Sequence, residues 1–145
     1  MIKKKLKKLI LVMVGFAFSI NLYAQNVDYN YSFWEPIANA ISYVESKHNP
    51  NARNGIYVGC MQISPGMVNE CNNILKRNGE TRRFSMNDRL NAKKSKEMFA
   101  IFQSYHNPNN NIERAIRMWN GGPRFSASKT NRYYYKVMAA YNQKS

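Results

Sequence analysis

Acidic residues are scarce in this sequence, which contains eight Asp and Glu against 22 Lys and Arg and carries a formal net charge of +14. This shortage of negative charge favours an anionic partner: a nucleic acid, an acidic membrane surface or an acidic polymer. At 145 residues the chain has room for one domain with a modest core. No internal repeat and no low-complexity linker divides it.

Cysteine and histidine are also rare, with two of each in the chain. His48 and His106 have no partner at the spacing of metal ligands, so we expect no metal site and no cofactor. Cys60 and Cys71 lie eleven positions apart. In an oxidising compartment they can form a disulfide, and in a core they can pack as two buried free thiols. Both alternatives stay open.

Long apolar runs are limited to one, "LILVMVGFAFSI", which follows the basic segment "MIKKKLKK" and precedes "LYA". This order predicts a secretory signal peptide over 1–24, cleaved before Gln25; the alternative is an uncleaved membrane anchor. The run is short for a membrane-spanning helix, which favours cleavage and no lasting membrane anchor. The remaining domain, 25–145, keeps all eight acids and 17 of the 22 basic residues, a net charge of +9.

Export places the predicted domain in the periplasm or outside the cell. That location argues against nucleic acid as the main partner, and the sequence contains no basic recognition motif. Anionic polymers of the cell wall remain good candidates for the partner.

Apolar residues recur with helical spacing between breaks at Asn, Gly and Pro, which predicts about five helices with a small extended insert after the first. The expected fold class is therefore mainly α with a minor β element. The predicted segments are a helix over 32–47, an extended run over 56–58, a helix capped by Ser64-Pro65 that stops near Gly79, a helix capped by Asn87 or Asp88 and closed at Asn107-Pro108, a helix over 112–119 and a helix over 130–141.

One of the few acids occupies an unusual position within "AISYVESKHNPNA", residues 40–52. Glu45 borders the apolar stripe that contains Ile41 and Val44, near the predicted end of the first helix. Burial beside apolar side chains would raise its pKa and suit it to general acid catalysis. The alternative is an ordinary solvated charge at a helix end.

A second carboxylate is not evident, although glycosidases usually work with two. The other acids considered lie in polar or basic surroundings and are typical of solvated faces or helix caps: Glu70, Glu80, Asp88, Glu97 and Glu113.

Two further segments contain groups suited to sugars. In "GCMQISP", Gln62 offers an amide to a hydroxyl or acetamido group. In "MWNGGP", Trp119 is followed by a Gly-Gly turn that lets a ligand approach the backbone closely. Trp119 and the three tyrosines over 133–135 could stack on sugar rings or pack in the core.

Four motifs follow one another with sensible spacing over about 34–141: Glu45-Ser46 with Asn49-Pro50 and Ala52; Gly59 to Pro65; Trp119 to Pro123; and Thr130 with Tyr133 and Val137. In this order they resemble the soluble lytic transglycosylase (SLT) family. The departures are Cys60 for leucine, Trp119 for tyrosine and a poorly matching, basic segment over 72–96.

The resemblance implies a single lysozyme-like (goose-type) domain that cleaves the β-1,4 bond between N-acetylmuramic acid and N-acetylglucosamine in peptidoglycan, with a 1,6-anhydro product. Glu45 would be the sole acid/base catalyst. The residues implied to bind or orient the glycan are Ser46, Met61, Gln62, Trp119, Asn120 and Tyr133.

Two alternatives stay open: a hydrolytic muramidase of the same fold, and a non-catalytic, cationic wall-binding protein. Small single-domain members of the family often accompany conjugation or secretion machines that span the envelope. We therefore expect a monomer that acts on peptidoglycan strands, with such a complex as a candidate partner.

Overall fold

The computed structural model describes residues 27–143, so the signal peptide predicted for 1–24 lies outside the described residues. This part of the chain is mainly helical with one small antiparallel sheet, which confirms the predicted mainly α class with a minor β element. No helix within it is long and apolar enough to span a bilayer. In chain order the elements are α1 (Tyr31–Ser46), β1 (Arg53–Asn54), β2 (Tyr57–Val58), α2 (Pro65–Arg77), a 3₁₀ helix (Met86–Leu90), α3 (Ala92–His106), α4 (Ile112–Gly121) and α5 (Ala127–Asn142).

Helix α1 contacts α3, α4 and α5, and α2 packs on α3. The apolar face of α1 buries Trp34, Ile37 and Ile41. Five consecutive residues of α3, 98–102, are all buried, so this helix is surrounded by the others at that level. Burial of these faces supplies most of the stability of the helices, because isolated helices of this length are marginal in water.

The predicted cap of α2 is confirmed. The Ser64 hydroxyl accepts a hydrogen bond of 3.2 Å from the amide of Met67, and Pro65 occupies the first helical position. Pro65 suits that position because an amide proton there would have no acceptor within the helix.

The predicted cap of the third helix is wrong. Helix α3 begins at Ala92, and the Asn91 side chain accepts from the amide of Lys94 at 3.0 Å. Asp88 instead accepts from the amide of Ser85 at 2.8 Å and fixes the preceding 3₁₀ helix. Asn and Asp have similar local capping chemistry, so packing decides which of them starts the long helix.

The segment after β2 folds into the core. An isolated bridge joins Val58 to Ile63, and the side chains of Cys60 and Met61 between them are buried. Gly59 has φ 85°, and a Cβ there would lie 1.8 Å from the carbonyl oxygen of Arg89. Only glycine permits this approach of two backbone segments.

Both cysteines are free thiols, which decides between the two alternatives left open by the sequence and corrects the possibility of a Cys60–Cys71 disulfide. Each is buried. The Cys71 thiol donates a hydrogen bond of 3.3 Å to the carbonyl of Met98, and burial raises its pKa. Both side chains therefore pack as small apolar groups.

Gly59→Ala is expected to lower the free energy of unfolding by at least about 3 kcal/mol, because the added Cβ meets backbone that cannot rotate away. The matched control is Gly55→Ala, since Gly55 also has positive φ (59°) but open space around its Cβ. That change should cost about 1 kcal/mol. Chemical denaturation of both variants measures the difference, and equal losses would contradict the assigned contact.

Candidate functional site

Glu45 lies in the last turn of α1, on the side of the helix that faces α5. Its side chain is half-buried and borders two adjoining cavities of about 410 and 270 Å³. Asn120 at the end of α4 borders both cavities as well. The two cavities together form one cleft with Glu45 at its middle, and we refer to them as the larger and the smaller cavity.

Tyr133 of α5 donates a hydrogen bond of 2.6 Å from its hydroxyl to Oε1 of Glu45. Burial raises the pKa of the Glu45 carboxyl above its ordinary value of 4.5, and the hydrogen bond from Tyr133 partly opposes that rise. Burial and the nearby carboxylate raise the pKa of Tyr133 well above 10, so this hydroxyl remains a donor. The pair leaves Oε2 of Glu45 as the carboxyl oxygen available to a ligand.

The two cavities differ in their walls. The larger is lined by basic side chains of α5 together with Val44, Glu45, Asn120 and Tyr133; the basic residues are Lys129, Arg132 and Lys136. The smaller is lined by Glu45 and by neutral polar and aromatic side chains, namely Asn54, Tyr57, Gln62, Trp119 and Asn120.

Hydrogen bonds join the loop after β2 to the helices beside Glu45. Ser46 donates from its hydroxyl to the carbonyl of Cys60 at 2.8 Å, which attaches the end of α1 to the loop. The indole of Trp119 donates to the carbonyl of Met61 at 3.2 Å, which attaches α4 to the same loop. These bonds hold together three of the elements that line the smaller cavity; β1 and β2 supply the rest of its wall through Asn54 and Tyr57.

Gln62 adopts φ 53°, a left-handed conformation uncommon outside glycine. Its side-chain nitrogen donates to the carbonyl of Gly59 at 2.9 Å. The amide oxygen is thus the group that Gln62 can offer to a ligand in the smaller cavity.

The sequence-predicted site residues divide into two groups. Glu45, Gln62, Trp119, Asn120 and Tyr133 all line the cleft. Within residues 27–143 the side chain of Asn120 has no hydrogen-bond partner, so its amide is available to a ligand.

Ser46 and Met61 are among the predicted site residues but line neither cavity. The Met61 side chain is fully buried in the core, and its carbonyl accepts from Trp119. Neither side chain contributes surface to the cleft. Hydrogen bonds of the two residues instead hold the loop after β2 that borders it.

Aromatic packing decides which predicted stacking residues face the cleft. Trp119 packs edge-on against Phe99 with ring centroids 5.1 Å apart, and the rest of its ring borders the smaller cavity. Tyr134 lies under the guanidinium of Arg117 at 4.6 Å. Tyr135 is exposed and packs against Tyr134. Of the three tyrosines over 133–135, Tyr133 alone lines the cleft.

Arg89 positions the site although the sequence did not indicate it. Its guanidinium donates to the carbonyls of Ile56 and Ile63, at 3.1 and 3.2 Å, and so holds both the hairpin turn and the end of the loop. No local signal could have found this residue, because Arg89 lies in a segment rich in basic residues and its partners are 33 and 26 positions away.

Glu45 is the only acidic residue lining either cavity within the described part of the chain. The other acids predicted to be caps or solvated charges have partners elsewhere: Glu70 with His106, Glu80 and Glu97 with Arg82, Asp88 with Lys94, and Glu113 with Arg117. No cluster of three or more His, Cys, Asp or Glu suited to a metal ion occurs in residues 27–143. The cleft thus combines one carboxyl of raised pKa with amide, phenol and cationic groups.

No protein-family model, curated protein or solved structure matches this chain.

Loss of the Tyr133 hydroxyl should raise the pKa of Glu45 further, because that donor stabilises the carboxylate. Titration of the side-chain carboxyl by ¹³C NMR measures this in the wild type and in Tyr133→Phe. Tyr135→Phe is the matched control, since Tyr135 is exposed and outside the cleft. An unchanged or lower pKa in Tyr133→Phe would contradict the assigned pairing.

Glu45→Gln should be more stable than the wild type at pH 7, because ionising the half-buried carboxyl opposes folding. A raised folded-state pKa means that the contribution of Glu45 to stability is greatest below pH 4.5 and is lost as pH rises through the folded-state pKa. Thermal unfolding at pH 4 and pH 7 should therefore show a difference in Tm at pH 7 that shrinks at pH 4. Glu35→Gln, on an exposed part of α1, is the control. If Glu45→Gln were equally stable or less stable than the wild type at pH 7, ionisation of Glu45 would not oppose folding.

Proposed function

We propose that this protein is a peptidoglycan lytic transglycosylase with a lysozyme-like fold, in which Glu45 acts as the sole acid/base catalyst. The observation that carries the proposal is the cleft with a single half-buried carboxyl held by Tyr133. The motif resemblance supports it independently, because the residues that carry the resemblance include Glu45, Gln62, Asn120 and Tyr133, which all line that cleft.

Glu45 begins the reaction as the acid. With its pKa raised, the carboxyl keeps a proton at higher pH than an exposed glutamate does and can donate it to the oxygen of the glycosidic bond. Tyr133 holds Oε1 as an acceptor, which leaves the Oε2 hydroxyl for that oxygen. The bond from C1 of the muramic residue to this oxygen then breaks, and the acetamido group of the substrate stabilises the cation at C1.

Glu45 completes the reaction as the base. The carboxylate accepts the proton of the C6 hydroxyl while O6 forms a bond to C1, which gives the 1,6-anhydro sugar and regenerates the acid. The net change moves one proton from O6 to the leaving oxygen and consumes no water. An attacking group within the same sugar has a high effective concentration, so no second carboxylate is needed to hold a water molecule.

Neighbouring residues would position the glycan. Asn120 and the oxygen of the Gln62 amide offer hydrogen bonds to hydroxyl or acetamido groups, and the exposed part of Trp119 offers a stacking surface. The net charge of +9 over 25–145 favours association with an anionic wall, and the predicted signal peptide would deliver the domain to it. A local role beside an envelope-spanning secretion or conjugation complex follows from the resemblance.

Mass spectrometry of soluble products from purified peptidoglycan tests the proposal. The wild type should release 1,6-anhydromuropeptides, and Glu45→Gln should reduce their rate of release at least about a thousandfold, because an amide cannot donate or accept the proton. Thermal unfolding of the variant serves as the folding control.

Two results would overturn the proposal. Reducing-end products from the wild type would indicate a hydrolytic muramidase, which must place a water molecule without a second carboxylate in the cleft. Binding to the wall with no products from either protein would indicate a non-catalytic wall-binding protein.

A further inference from the structure

The larger cavity has one strongly basic wall. Lys129, Arg132 and Lys136 line it at positions i, i+3 and i+7 of α5, so they lie along one face of the helix over about 10 Å. The smaller cavity, on the other side of Glu45, has no basic residue in its lining. A ligand that occupies the whole cleft therefore meets positive charge on one side of Glu45 only.

The basic row has no structural role in the described part of the chain. All three side chains are exposed, and none forms an ion pair within residues 27–143. Like charges three and four positions apart on a helix repel and disfavour it. In contrast, Arg117 on α4 is buried and pairs with Glu113, as expected of a basic residue that serves the fold.

The pKa of Glu45 responds to burial and to the hydrogen bond from Tyr133. Because the three basic side chains are exposed and form no ion pair within residues 27–143, their charges are available to a ligand in the larger cavity. Three cations spread over about 10 Å suit a ligand with several separated negative charges better than a single anion.

We propose that Lys129, Arg132 and Lys136 bind the carboxylates of the peptide stem on the muramic residue, and so make the protein prefer strands with anionic stems over strands with amidated or absent stems. This inference rests on the proposed function, because it assumes that a peptidoglycan strand occupies the cleft. The same chemistry has a second source in the lactyl carboxylate of the muramic residue, which is freed when an amidase removes the stem.

The test compares three soluble substrates of equal glycan length: strands with free stem carboxylates, strands with amidated stem carboxylates, and strands whose stems have been removed by an amidase. The altered protein is the triple variant Lys129→Gln, Arg132→Gln, Lys136→Gln. The matched control is Lys76→Gln, Arg77→Gln, Lys93→Gln, which removes the same charge from α2 and α3, outside the cleft.

For the wild type, kcat/KM should be about tenfold higher on anionic stems than on either other substrate, mainly through KM, since exposed ion pairs contribute only a few-fold each. The triple variant should lose this preference, because its kcat/KM should fall about tenfold more on anionic strands than on amidated strands. The control should keep the preference. Added salt should reduce this preference in the wild type, and it should change the ratio of the two kcat/KM values less in the triple variant.

Three results would overturn the inference: equal loss of preference in the triple variant and the control, an equal drop of the triple variant on all substrates, or a wild type that uses stem-free strands as well as anionic ones. The last would show that the row accepts the freed lactyl carboxylate as well as the stem carboxylates, so it would not select for stems.

Binding of the same strands, measured by fluorescence anisotropy in the Glu45→Gln background, separates this inference from the proposed function. If the wild type released no anhydro products, the proposed function would be refuted. The binding measurement would still show whether Lys129, Arg132 and Lys136 recognise stem carboxylates.

Discussion

The carboxyl group of Glu45, half-buried where α1 meets α5, is the constraint on which the rest of the site depends. Water would stabilise its charged form better than the protein does, so the fold holds a group that resists ionisation. Tyr133 supplies a donor to Oε1, which keeps that oxygen satisfied and fixes the side chain in one orientation. A stronger set of donors would stabilise the carboxylate and lower the pKa that an acid catalyst needs.

The loop after β2 completes the site because three separate elements hold it. Ser46 binds it from α1, Trp119 binds it from α4, and Arg89 binds it from the 3₁₀ helix. Gly59 lets the loop approach the backbone of Arg89 closely. A cleft built in this way has its polar groups positioned before any ligand arrives, which limits the entropy lost on binding.

Features with local causes could be predicted from the sequence, and those with long-range causes could not. Ser64-Pro65 fixes the start of α2 within four residues, so its pattern was sufficient. The start of α3 was wrong because Asp88 and Asn91 offer equivalent capping chemistry, and tertiary packing chooses between them. The Glu45–Tyr133 bond joins residues 88 positions apart, and only the motif resemblance placed them together. The row on α5 was not predicted, because nothing in the sequence distinguishes these three basic residues from the other 19.

The two buried thiols have a consequence for how the protein reaches its folded state. Within residues 27–143 no disulfide joins distant parts of the chain, so folding in this region requires neither an oxidant nor a disulfide isomerase. The raised pKa of Cys71 keeps that sulfur in the protonated form, which reacts slowly with other thiols and disulfides. Folding of this region should therefore proceed alike in oxidising and in reducing surroundings.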